Sequence, residues 1–351
     1  MATRSTFLHF RWFRFNLRTL LVAVAAVGIG SGWLGAQIQC ARLQRRAVAQ
    51  IEKLGGDVRY TIAGKEQRDA HWLPLTRFHH YAWARQLLGN DFFDSVTHVN
   101  LYGTPVTDDD MSVFDHLRDV EVVTLSNTAV GDRGVRHLRH LEHLRELDLW
   151  HSQIGDEGLA ELKTIRSLKH LAAGNSRITD AGLVHLADMT QLTYLGLRAN
   201  CVTDAGLVHL RDLVNLEGIY LGESQVTGEG LVYLADMKKL KYPRLDHLSI
   251  SDDDLRHVAH LSELTHLPLS WTQVTDAGLI HLANLPNLST LHLAGTHVSD
   301  DGLMHLAEIK SLTELDLSET QVTEAGVRRL TAMLPNCRIA ANSRSQSGRV
   351  R

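Results

Sequence analysis

The chain has 351 residues, too many for one small core and suited to one large domain, two ordinary ones or an elongated array. It carries 36 Lys and Arg against 40 Asp and Glu, a net charge of −4, which gives no general pull toward nucleic acid or an anionic surface. Three cysteines (Cys40, Cys201, Cys337) with no CxxC pair exclude a disulfide framework, and 21 histidines call for an explanation from spacing.

Residues 1–18 form a basic tail holding Arg4, Arg11, Arg14 and Arg18 and no acid. Thr19 to Ile38 follow, an uncharged stretch of the length that spans a bilayer as helix, about 20 residues. Trp12 and Trp33 stand where interfacial aromatics lie, while four glycines, Ser31 and Gln37 keep the hydropathy moderate. A cleaved signal peptide competes with this reading, but its apolar run would be roughly 7–15 residues, and Leu34-Gly35-Ala36 is a poor cleavage site. The expectation is a single transmembrane anchor over 19–38. Four arginines precede it and Arg42, Arg45 and Arg46 follow, which favours a cytoplasmic N-terminus by one charge and a repeat region outside the cytoplasm.

Residues 39–95 read as a linker helix and a cap. Positions 41–54 suit an amphipathic helix stopped by Gly55-Gly56, and DVRYTI (57–62) alternates like a short strand. Residues 64–80 are polar and irregular, and 82–93 contain a short helix broken at Gly89-Asn90. Segment 55–95 is expected to cover the first repeat, because a terminal repeat needs an unlike neighbour.

From 96 to 339 a motif V-T-D-A-G-L recurs every 24 residues, its anchor position falling at Asp108, Asp132, Asp156, Asp180, Asp204, Gly228, Asp252, Asp276, Asp300 and Glu324. Counted from the anchor, leucine-type residues fall at +3, +6, +9, +12, +15 and +17. The first three suit a short helix, and +15 with +17 suits a strand with alternate residues inward. One helix and one strand per repeat predicts an α/β solenoid, a horseshoe with a parallel concave sheet and convex helices. The residue before each anchor is Thr, Ser or Gly, as a helix N-cap requires, and the anchor lies in the first turn, where the helix dipole favours negative charge. Gly stands at +2 in eight of ten repeats, Asp110 and Asp254 being the exceptions, which lets adjacent coils pack closely. A disordered basic tail is expected over 340–351.

The pattern L-x-x-L-x-L-x-x-T-x-V-T-D-A-G-L resembles leucine-rich repeats of the GALA and cysteine-containing types. The whole chain also resembles a largely uncharacterised family of bacterial membrane-anchored leucine-rich-repeat proteins, through Asn16-Leu17-Arg18-Thr19-Leu20-Leu21, AVAQIEKLGGDVRY (47–60), LLGNDFFDSV (87–96) and LPNCRI (334–339). The resemblance implies a repeat fold and a membrane anchor, and no catalytic or binding residues. Eukaryotic relatives of the repeat often carry an F-box; no F-box-like domain precedes Val96.

No nucleophile elbow, phosphate-binding loop, zinc-protease or dinucleotide signature occurs, so neither catalytic residues nor cofactors are expected. Histidine recurs at +5 (His137, His185, His209, His257, His281, His305), but neighbouring helices lie about 8–10 Å apart and zinc ligands about 2.0–2.1 Å from the metal, so the row reads as a repeated surface position and no metal site. The triplets Asp108-Asp109-Asp110 and Asp252-Asp253-Asp254 lack the spaced ligands of a calcium loop. Cys201 and Cys337 lie more than five repeats apart, beyond the roughly 7 Å reach of a disulfide when strands step about 4.8 Å.

Repeat-to-repeat variation concentrates on the outward strand positions +14, +16 and +18. Strands four to six hold His170, Ala172, Gly174, Tyr194, Gly196, Arg198, Gly218, Tyr220 and Gly222, bordered by Trp150 on strand three and by Tyr242 and Arg244 on strand seven. A small-residue floor walled by aromatics and arginines is the form of a groove for a protein or peptide ligand; the alternative is ordinary drift of the repeat. The candidate binding set is Trp150, Tyr194, Arg198, Tyr220, Tyr242 and Arg244. The repeat with Gly228 at its anchor also has Pro243 for leucine and Leu248 for threonine, and a local break is expected there. The favoured function is a non-enzymatic, membrane-tethered binding or scaffolding protein. A purely structural envelope protein and a histidine-based metal enzyme are the alternatives.

Overall fold

The computed structural model describes residues 17–62, 65–66 and 90–341, with the side chains of 17–30, 61–66 and 90 outside the description. Outside the described residues lie 1–16 of the expected basic tail (1–18), 64 and 67–80 of the irregular stretch (64–80), 82–89 of the segment expected to hold a short helix (82–93), and 342–351 of the closing tail (340–351). Helix α1 runs from Leu17 to Lys53 without interruption, so the stretch expected as anchor and the linker helix are one helix. Among the described residues no helix is long and apolar enough to cross a membrane. The expected transmembrane span is therefore not supported by the structure: its described part, from Ser31, is diluted by Gly32, Gly35 and Gln37, and the apolar side chains of 19–30 lie outside the description.

The C-terminal half of α1 buries Ala41, Ala47, Val48 and Ile51 against the first coil. Strand β1 (Asp57–Ile62) pairs antiparallel with β2 (Lys65–Glu66) on one side and with β3 (Ser95–Asn100) on the other, closing the sheet edge at its N-terminal end. Asp91 fastens these pieces together. Its carboxylate accepts from Arg45 Nε at 2.9 Å and from the Tyr60 hydroxyl at 3.2 Å. Burial and then the Asp91 charge push the Tyr60 phenol well above its ordinary value, so it stays a neutral donor.

After β3 come Val122–Thr124 (β4), Glu146–Asp148 (β5), His170–Ala172 (β6), Tyr194–Gly196 (β7), Gly218–Tyr220 (β8), Tyr242–Arg244 (β9), His266–Pro268 (β10), Thr290–His292 (β11), Glu314–Asp316 (β12) and Arg338–Ala340 (β13). From β3 to β9 and from β10 to β13 neighbouring strands pair in parallel at a constant offset of 24, so equivalent residues form rows. The +15 and +17 side chains, such as Leu195, Leu197 and Leu221, are fully buried in one continuous core with the helical leucines. The convex segments are shorter than one helix per repeat suggests. Three pass from α to 3-10 geometry, such as Asp180–Leu183 into Val184–Leu186, four are 3-10 alone, and only the closing helix Glu324–Met333 reaches ten residues. Strands β3 to β12 each leave the sheet through a left-handed residue, Gly103, Asn127, His151, Asn175, Ala199, Glu223, His247, Trp271, Gly295 and Glu319 in turn, with φ between 50° and 70°.

The acidic anchor lies in the first turn of its segment, as the spacing predicts, and also binds the next coil. Asp156 reaches forward to the next coil, where its carboxylate accepts from Thr179 N at 2.8 Å and Thr179 Oγ1 at 2.7 Å. Asp180, Asp204, Asp252, Asp276 and Asp300 do the same to Thr203, Thr227, Thr275, Ser299 and Thr323, and Asp108 and Asp132 do so to the amides of Gly131 and Gly155. The pre-anchor hydroxyl also caps its own segment, Thr179 Oγ1 accepting from Ala181 N.

This ladder explains glycine at +2. A Cβ at Gly134 would stand 2.6 Å from Asp108 Oδ1, and equivalent overlaps recur at the other seven. Where no aspartate reaches forward, +2 is itself aspartate. Asp110 follows no earlier anchor and Asp254 follows Gly228; each accepts from its own coil's Thr107 or Ser251 through backbone N and hydroxyl. A Cβ on Gly228 would in turn overlap the Asp254 carboxylate. The irregular repeat is thus a compensated exchange.

The expected break lies on the C-terminal side of the strand that holds Pro243. The sheet divides into β2-β1-β3 to β9 and β10 to β13. In the parallel register the +15 N–H donates forward and the +16 N–H of the next strand donates back. At the β9–β10 junction these two positions are Pro243 and Pro268, neither of which has an N–H. The flanking bond from Leu245 N to Pro268 O stretches to 3.3 Å, against 2.8 Å for Leu197 N to Tyr220 O and for Leu269 N to His292 O.

Candidate protein-binding face

The six sequence-predicted residues all lie on the concave sheet or its rim, on and after β5 to β9, and the structure divides them into groups. Tyr194 and Tyr220 meet edge to face with ring centroids 4.9 Å apart. The Arg244 guanidinium lies over the Tyr220 ring, 5.3 Å from its centroid, and is held by Asp246 at 3.4 Å. These three form one continuous surface. His170 extends it on the β6 side, 6.0 Å from Tyr194. Tyr242, 40% exposed, pairs instead with His266 on the far side of the sheet break at 5.0 Å. Arg198 forms an ion pair with Glu223. Among the described residues its Nε and Ser126 Oγ are the buried side-chain polar atoms without a hydrogen-bond partner.

The small-residue floor is not open. Trp150 lies over Gly174, where a Cβ would overlap its ring, and Tyr194 lies over Gly218, whose Cβ would be 3.0 Å from it. Trp271, on the rim, covers Gly295 in the same way at 2.5 Å. In each case the glycine stands 24 residues after the ring, at the same position of the next coil. Rings lean along the rows, and the row partner is either glycine or a group that stacks: Tyr220 on Arg244, Tyr242 on His266, His247 on Trp271 at 6.1 Å. The expected groove walled by aromatics is therefore an aromatic-paved strip, in which the rings fill the room the glycines leave.

The charges on this strip are largely paired. Arg198 meets Glu223, Lys241 meets Glu217 at 3.0 Å, and Arg244 meets Asp246. Burial, then Tyr220 and Asp148, push the Tyr194 phenol above its ordinary value, so it offers a neutral hydroxyl across the physiological range. The surface suits stacking and neutral hydrogen bonding more than capture of a strongly charged ligand. Sequence reasoning missed His266, which the array brings to Tyr242, and Trp271, 54% exposed at the left-handed turn position outside the +14, +16 and +18 rows.

The remaining candidates disperse. His137 pairs with Asp115 at 2.9 Å, and among the described residues no three His, Cys, Asp or Glu side chains converge on a common point. Cys201 is exposed and Cys337 buried, and neither is bonded to another cysteine.

The family model described as leucine-rich repeat matches residues 140–163, 260–283 and 284–307. Among curated proteins none matches significantly. Among solved structures, the chain is similar to an internalin (InlF) of Listeria monocytogenes, 19% identical over 71% of this chain and 87% of that one, with a TM-score of 0.47. It is similar to internalin C2 of the same organism, 23% identical over 68% and 84%, with a TM-score of 0.46. A leucine-rich-repeat protein of Leptospira interrogans is 17% identical over 65% and 74%, with a TM-score of 0.48. With its 24-residue period and parallel register, the chain carries leucine-rich repeats stacked as an α/β solenoid.

Proposed function

We propose that the array is a non-enzymatic protein-binding or scaffolding module whose partner docks on the concave strip. The strip formed by Tyr194, Tyr220 and Arg244, with Tyr242 and Trp150 beside it, carries this reading. The core is built from the leucine rows, and this run of rings lies outside it on the solvent side of the sheet. Tyr, Trp and Arg are the residues that dominate binding hot spots.

In the same proposal the uncharged stretch Thr19–Ile38 tethers the protein as a single-pass anchor, with the repeats displayed outside the cytoplasm. Carbonate extraction of native membranes tests this: the full chain stays in the pellet if it is anchored and is released if it is not. A purely structural envelope protein is the second reading. It predicts no partner for the strip and silent alanine changes there. Affinity capture from native membranes with the full chain, followed by the same capture with Tyr220→Ala, separates the two. A partner retained equally by both proteins removes the strip from the account.

A further inference from the structure

The junction between β9 and β10 lacks two kinds of bond that other junctions have. The ladder bonds centred on +15 are absent because Pro243 and Pro268 stand at both donor positions. The forward carboxylate bonds are absent because Gly228 replaces the anchor, and Ser251 is bonded within its own coil by Asp254. What remains is the apolar core through Leu245, Leu267 and Leu269, the end bonds from Thr265 N, Thr265 Oγ1 and His266 N to Lys241 O, a 3.3 Å bond from Leu245 to Pro268 O, and the bonds from His247 to Ser270 O and from Gln273 to Ile250 O, both at 2.9 Å. On the concave side the junction is crossed by two ring contacts, Tyr242 on His266 and His247 on Trp271.

We infer that this junction is a hinge, at which the four coils from Asp252 onward open and reorient as one unit against the coils before it. Repeat arrays are stabilised coil by coil through their interfaces, so the interface with the fewest bonds opens first. The apolar core passes through the seam unbroken, so the two parts stay joined while the sheet gapes. The position matters because the seam cuts the aromatic strip: Tyr220, Tyr242 and Arg244 move with one part, His266 and Trp271 with the other. Opening separates both ring pairs and changes the curvature of the concave face without unfolding a coil.

Hydrogen exchange of the full chain tests this residue by residue. The seam amides are Leu245, Thr265 and His266. Their equivalents are Leu221, Lys241 and Tyr242 one junction earlier, and Leu269, Ser289 and Thr290 one junction later. The hinge predicts that the seam amides exchange at least about tenfold faster than both sets, since two backbone bonds are missing from the opening cost. Pro243→Leu combined with Pro268→Thr restores both donors, and should slow the seam amides to their neighbours' rate while leaving Leu221 and Leu269 within about twofold. Seam amides that exchange no faster than both neighbours overturn the hinge. So does a smooth gradient of exchange rising toward Arg338, which would mean fraying from the end. A prolines-restored variant with unchanged seam exchange overturns it as well.

Discussion

Exchanging Gly228 and Asp254, singly and together, probes the logic that holds successive coils. In Asp254→Gly, Ser251 loses the carboxylate that accepts its N at 2.8 Å and its hydroxyl at 2.6 Å. The site is exposed, so water replaces part of this, and the loss should match that of an N-cap, about 1–2 kcal/mol. In Gly228→Asp, the new side chain enters the space of the Asp254 carboxylate. Asp254 must swing out, giving up its own bonds beside a like charge, at about 2–3 kcal/mol. In the double variant the carboxylate introduced by Gly228→Asp reaches Ser251 as Asp204 reaches Thr227 at 2.8 and 2.6 Å, and Asp254→Gly makes room for it. Two bonds are lost and two regained, so the double variant should lie within about 1 kcal/mol of the natural protein, a coupling of at least about 2 kcal/mol. Urea unfolding followed by circular dichroism, compared by midpoint and slope, measures it. Additive losses would refute the argument that Gly228 and Asp254 form one exchanged pair.

Leu195→Ala or Leu221→Ala, both at fully buried positions, should cost about 2–5 kcal/mol, while His209→Ala on the half-exposed convex row should cost under about 0.5 kcal/mol; equal losses in urea unfolding would mean the facing assignment is wrong. Gly174→Ala should force Trp150 off its seat, destabilising by about 1–3 kcal/mol and shifting tryptophan emission, whereas the same change at the open Gly103, where the positive φ would strain alanine but no ring is displaced, should leave the emission unmoved. Burial acts to raise the Asp300 carboxyl, but the two bonds from Thr323 and the Arg329 charge outweigh it and hold it below its ordinary value. With its folded value depressed, Asp300 contributes stability that is present above the unfolded value near about 3.9 and is lost as pH falls through the folded one, so Asp300→Asn should reduce the acid sensitivity of the last coil's hydrogen exchange.

Much of the array was legible because a solenoid writes one local solution many times. The leucine rows, the parallel strands and the pre-anchor caps follow from period and spacing alone. The forward reach of Asp156 to Thr179 was not visible in one repeat, since it joins residues 23 apart, but its trace was: glycine at +2 wherever the previous anchor is aspartate, and Asp110 or Asp254 where it is not. The sheet break needed Pro268 as well as Pro243, because each removes a different donor of the same junction. The candidate face was located by its departures from the repeat but misjudged in form. Gly174 and Gly218 signal rings lying down one coil earlier, at Trp150 and Tyr194, a relation that only the stacking of coils reveals. Trp271 escaped notice because it occupies a left-handed turn, off the strand rows.

Binding at the proposed aromatic strip is measured most directly by the affinity of a captured partner for four proteins. These are the natural chain, Trp150→Ala, Tyr220→Ala and Glu314→Ala, each shown to be folded. Truncating either ring should weaken binding at least about tenfold, the scale of a hot-spot residue, while Glu314→Ala on β12, away from the strip, should change it by less than about twofold. Affinity unchanged by both ring truncations would contradict the account and move the interface to the convex side or the N-terminal cap.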